Sequence, residues 1–139
     1  MSTDIKVFHV SHEHDLFSFD IEIDFSKKHF LDETVYKDAG EYVDETIRSD
    51  IKLMSMFWMG HPPAYRDFNE HLTFFIEIFA KAVANYIYEE SSQEKYINKE
   101  FNDREGYVPL FGDDKGIHIK NIEFDHDFIG NGIYIREKA

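Results

Sequence analysis

The sequence predicts an α+β domain spanning residues 1–139: an antiparallel four-stranded sheet made of two hairpins, with two long helices and one short helix packed on one face, in the order ββαααββ. Apolar residues alternate near both ends of the chain, the pattern of strands with one face on a core and one in water. In the middle they recur three and four apart, the period of amphipathic helices. Helices grouped between two pairs of strands, rather than alternating with single strands, favour segregated layers over a parallel α/β sheet. With 42% hydrophobic residues, among them 14 Phe and 8 Tyr, the chain can bury a single core of ordinary size.

The first strand is read at "DIKVFHV", residues 4–10, from its β-branched and aromatic content. The second, "LFSFDIEIDF", sets Phe17, Phe19, Ile21, Ile23 and Phe25 on one face and Ser18, Asp20, Glu22 and Asp24 on the other. The polar "SHEHD" between them reads as a hairpin connection. From Leu31, the stripe Val35, Ala39, Val43, Ile47, Ile51, Met54 and Trp58 predicts one long helix, capped by Asp32 and bent or split at Gly40. "GHPPAYR" ends it, because consecutive prolines cannot continue a helix interior. A second helix runs from about Tyr65 to Glu89 on the stripe Phe68, Leu72, Phe75, Ile76, Phe79, Val83, Tyr86 and Ile87, antiparallel to the first. "SSQEKYINKEF" opens with Ser91 three residues before Glu94, a capping-box spacing that starts a short third helix. In "NDREGYVPLFGDDKG" the residues Tyr107, Val108, Leu110 and Phe111 are expected against the core. "IHIKNIEF" and "GIYIRE", joined by "DHDFIGN", are read as the second hairpin, and the slip of apolar phase between Ile119 and Ile122 marks a β-bulge.

The segments "FSFDIEIDF" and "EGYVPLFGDDKGIHI" together resemble a family of small acidic bacterial and phage proteins catalogued as a domain of unknown function. The resemblance implies a compact α+β fold and a bacterial or mobile-element setting, and it transfers no site residues.

Composition narrows the function. Against 15 Lys and Arg stand 28 Asp and Glu, a net charge of −13 that repels phosphate backbones and anionic membrane surfaces. Direct nucleic-acid binding and membrane binding are therefore not expected, whereas a basic protein partner is. The absence of cysteine removes disulfides, thiolate metal sites and cysteine nucleophiles and fits the reducing cytoplasm, the expected location. No basic n-region precedes an apolar run, and no run reaches the length of a membrane span. Nucleophile-elbow, Walker and H-E-x-x-H motifs are missing, so an enzyme is the weaker reading. The oligomeric state is left open, a homodimer included.

Three groups of residues are candidates for function. The first is an acidic interaction surface: Asp20, Glu22 and Asp24 as a ladder on the open face of the second strand, with Asp38, Glu41, Asp44 and Glu45 on the outer side of the first helix. Such a surface suits a basic partner, or mimicry of nucleic-acid charge. The second is an aromatic tip of Phe57, Trp58 and His61, side-chain types enriched at interfaces, although packing of the helix end against its neighbour is the favoured reading. The third, the alternative function, is a divalent transition-metal site, serving binding or hydrolysis, from His12 and His14 in one turn with Asp125 and His126 in the other. It requires the two turns to meet. "DHDFIGNG" does not complete a calcium loop, since Arg136 stands where a bidentate Glu is needed.

Overall fold

A computed structural model describes residues 4–12, 17–35, 42–59, 67–90, 93–112, 115–124 and 133–137. Strands β1 (Ile5–His12) and β2 (Phe17–Asp24) form an antiparallel hairpin in which Ile5 faces Asp24 and Ser11 faces Ser18. Strand β3 (Ile117–Phe124) adds antiparallel to β2, and β4 (Ile133–Glu137) antiparallel to β1, giving a four-stranded sheet in the order β3-β2-β1-β4. The α+β class and the antiparallel sheet are as the sequence indicates. The second hairpin is not: β3 and β4 stand at opposite edges, each on one free side of the central hairpin. Short spacing suggested direct pairing, yet the eight residues 125–132 are long enough for the alternative. Three inter-strand steps amount to about 14 Å, and eight extended residues reach roughly 26 Å.

Three helices cover one face of the sheet: α1 (Arg48–Met59), α2 (Phe68–Glu89) and α3 (Glu94–Asp103). The long first helix expected from Leu31 is corrected. A helical turn occupies residues 33–35, residues 36–41 with Ala39 and Gly40 lie outside the described residues, and α1 begins only at Arg48. The apolar spacing from Val43 to Ile51 fits a helix, but side chains there satisfy the backbone in another way. Asp44 accepts from the amide and hydroxyl of Thr46, while Ser49 Oγ accepts from Val43 N (3.0 Å) and Asp44 N (3.2 Å). The same stretch also bonds to the chain leaving β2, through Ile47 N to Lys27 O (2.9 Å) and His29 N to Glu45 O (3.2 Å). Asp67 caps α2 by accepting from Glu70 N. Gln93 precedes α3 without a side-chain cap, and Ser91 lies outside the described residues.

The core lies between sheet and helices. Phe19, Ile21 and Ile23 of β2 and Ile117 and Ile119 of β3 are buried with Ile51 and Met54 of α1, Phe75, Phe79 and Val83 of α2, and Ile97 and Phe101 of α3. Val108, Leu110 and Phe111 are buried as expected, and Tyr107 is half-buried. Phe79 stacks on Phe111 at 5.1 Å and meets Phe101 edge-on at 5.1 Å. Gly116 enters β3 at φ +120°, and an added Cβ would come within 3.0 Å of Ile47 Cδ1, so both space and backbone require glycine there.

Candidate functional site

The face of the sheet away from the helices carries the polar residues of the strands. Register sets His9 opposite Asp20, and Asp20 opposite Lys120, across three adjacent strands. Asp20, expected on an open ladder, is instead 2% exposed. Its Oδ1 lies 2.8 Å from His9 Nδ1, and its Oδ2 accepts from Asn121 Nδ2 at 2.8 Å. A carboxylate can only accept, so His9 carries its proton on Nδ1 in this pair. Asn121 reaches Asp20 because the register shifts between Ser18 and Asp20, and β3 there takes an extra residue with Asn121 at φ +57°. Asn tolerates that left-handed conformation better than other non-glycine types. The bulge read from the apolar phase slip is thus present, and it aims an amide at a buried carboxylate.

The rest of the ladder is partnered too. Glu22 accepts from Lys120 Nζ. Asp24 accepts from the amide and hydroxyl of Ser26, and the Ser26 hydroxyl is the main reason its carboxyl lies below the ordinary range. A row of bare negative charge would repel itself; the fold answers with one lysine, one imidazole, two amides and one hydroxyl. A depression of about 440 Å³ is lined by His9, Ser18, Asp20, Asn121, Ile122 and Glu123. An imidazole held by a buried carboxylate has the arrangement that orients a proton acceptor or a metal ligand. His9 stands close to His12 and His14 in sequence but reads there as a strand residue, and Asn121 is not singled out; only the phase slip points at the bulge.

Of the acidic residues assigned to the first helix, Asp38 and Glu41 lie outside the described residues. Asp44 and Glu45 precede α1 rather than lining it: Asp44 caps the turn and Glu45 is exposed. A buried acid that sequence reasoning missed is Asp50 in the first turn of α1, which accepts from Phe30 N (2.8 Å) and Leu31 N (3.4 Å). Burial pushes its carboxyl up to about 6, against the pull of those two amides and of nearby His29. An acid among helix residues gives no sequence signal for a partner some twenty residues earlier.

At the end of α1 the two aromatics part. Trp58 stacks on Phe75 at 5.3 Å and donates from Nε1 to Gly106 O at 3.0 Å, so it belongs to the packing of the helices. Phe57 is 70% exposed, and His61 lies outside the described residues.

His12 is the last residue of β1, not part of the turn, and its backbone faces Ile133. His14, Asp125 and His126 lie outside the described residues. The strand ends that flank both segments, His12, Phe17, Phe124 and Ile133, are all at one end of the sheet, because Phe17 pairs with Phe124 and His12 with Ile133. Among the described residues no three histidines or carboxylates come together in a way that could hold a metal ion. No helix among them is long and apolar enough to cross a membrane. No family model matches the chain, and no curated protein or solved structure is similar to it.

Proposed function

We propose that the protein is a non-catalytic interaction module of the cytoplasm that binds a basic partner protein. The observation that carries this reading is the surplus of 13 negative charges in a chain four of whose described cations are already paired with its own carboxylates. Arg48 pairs with Asp44 (3.5 Å) and Asp4 (3.7 Å), Arg104 with Glu100 (3.0 Å), Lys6 with Glu137 (3.5 Å), and Lys120 with Glu22. In the cleft between α2 and α3, Glu89 and Glu90 are exposed beside the Glu100–Arg104 pair. Tyr86 in that cleft has its phenol pushed up, first by burial and then by Glu100 and Glu90. The acidic surface of this reading is therefore the α2–α3 side more than the strand ladder, whose carboxylates are each bonded within the fold.

Capture of host proteins on the immobilised chain tests it. A retained partner should elute as salt rises from low to moderate concentration, since exposed charges are then screened. Retention unchanged by salt, or no partner at all, would overturn the proposal.

A second reading has one observation in its favour. The His9–Asp20 pair is of the kind that orients a metal-binding imidazole, and it lies on the sheet whose single end flanks both histidine-bearing segments. Elemental analysis of tag-free protein, with and without the double substitution of His12 and His14 by Ala, decides it. A metal content far below one per chain in both ends it.

A further inference from the structure

We propose that the outer edge of β4 receives an extended segment of that basic partner as a fifth strand, an inference that rests on the basic-partner reading above. The two edges of the sheet are treated unequally by the fold. The β3 edge is covered at Ile117 and Ile119: Asn98 of α3 donates Nδ2 to Ile119 O (3.5 Å) and accepts from Ile119 N (3.4 Å), and Ile117 bonds Leu110 O (2.9 Å) and Gly112 N (2.8 Å). Strand β4 pairs with β1, and among the described residues it has no neighbour on its other side. An edge of this kind presents backbone donors and acceptors that another strand can complete.

Side chains make room for such a strand. A groove of about 540 Å³ runs between β4 and α2, with an apolar floor of Phe8, Ile76 and Ile135, with Thr73, Glu77 and Lys81 on its α2 wall, and with Arg136 and Glu137 on its strand side. Successive side chains of an added strand point to opposite faces, so alternate residues would enter the groove and the others would stay on the polar face. The occupant is therefore a segment alternating apolar and basic residues. Charge selects it over a second copy of this chain. A copy would bring another 13 negative charges to the edge, whereas lysines or arginines on an incoming strand are attracted by the net charge of the molecule, the groove's own Glu77 and Glu137 standing beside Lys81 and Arg136.

The test uses the full, isotopically labelled chain and two octapeptides. One alternates lysine and valine; the other has the same side chains but is N-methylated at alternate residues, which removes the N–H groups needed for pairing. We expect amide shifts and slowed amide exchange at Ile133–Glu137 and along the groove with the first peptide. The N-methylated peptide should bind about tenfold or more weakly, as follows from losing two or more hydrogen bonds. The exposed-site variant Thr73→Trp, which fills the groove, should weaken the first peptide as well. Equal binding of both peptides, or shifts centred on Tyr86, Glu89 and Glu90, would overturn edge pairing while leaving the basic-partner reading standing. Binding of neither peptide at low salt overturns both. Protection of the β4 amides in a concentration-dependent dimer, without peptide, assigns the edge to a second copy and overturns the proposal.

Discussion

Asp20 and Asp50 are both buried and both bonded, yet they are supported differently. Asp20 meets side chains from β1 and β3, whereas Asp50 accepts backbone amides of residues 30 and 31, which only proline there would remove. With its carboxyl raised from 3.8 to about 6, Asp50 binds its proton more tightly folded than unfolded. Its contribution to stability is therefore full below pH 3.8 and is lost as pH rises through about 6. A displacement of that size corresponds to about 3 kcal/mol. Asp50→Asn cannot titrate, so the stability of the wild type relative to this variant should fall by up to that amount between pH 4 and 7, read from urea midpoints; a constant difference would refute the assignment. Asn121 combines a left-handed backbone with a bond to Asp20. Asn121→Ala should cost about 2 kcal/mol, adding backbone strain to the lost hydrogen bond. Asn121→Gly keeps only the second cost, and denaturant unfolding of the pair separates the two. Neither acid was legible as buried: strand alternation assigns Asp20 a face but not what neighbouring strands lay over it, and helical spacing does not reveal the residues 30 and 31 that bond Asp50.

Elements were legible in proportion to how local their causes are. The stripe of α2 was readable because Leu72, Phe75, Ile76, Phe79, Val83 and Ile87 all face one core, whereas its start, expected near Tyr65, is set at Phe68 by the Asp67 cap. The first helix was overextended because Val43 and Ile47 keep helical spacing while Asp44, Thr46 and Ser49 hold the backbone in a turn. That turn is bonded to residues 27–29, so its stability is partly long-range. The covering of β3 by α3 is long-range as well, and Asn98 acts there as a short substitute for a strand. Asn98→Ala should destabilise the protein by about 1–3 kcal/mol, because the Ile119 N–H and C=O both lose this partner in a buried place. It should also expose the β3 edge and raise the rate of aggregation on heating, followed by light scattering. A variant that loses stability without aggregating faster would show that Asn98 only fills space.

At the scale of the whole molecule, strand order was the least legible feature: "DHDFIGN" has the length of a hairpin loop, but the segment joins two edges of a sheet whose centre was made a hundred residues earlier. Net charge, by contrast, is fully legible and has a consequence for stability. Thirteen surplus negative charges repel one another more in the compact state than in the open chain. Salt shortens the reach of that repulsion, from about 30 Å at 0.01 M to about 8 Å at 0.15 M. Salt also weakens the ion pairs of Lys6, Arg48 and Arg104, but these are partly exposed, and such pairs contribute no more than about 1 kcal/mol each. Relief of repulsion among so many uncompensated carboxylates outweighs their loss. Thermal midpoints at neutral pH should rise with sodium chloride over that range by a few degrees, at about 4 °C per kcal/mol for a chain of this size. Because lowering the pH puts positive charge on the 8 histidines and then begins to protonate carboxylates, the surplus and the salt effect should shrink toward pH 5, near the isoelectric point of about 4.9. A midpoint that falls with salt at neutral pH would mean that the ion pairs, and not the repulsion, govern the electrostatics of this fold.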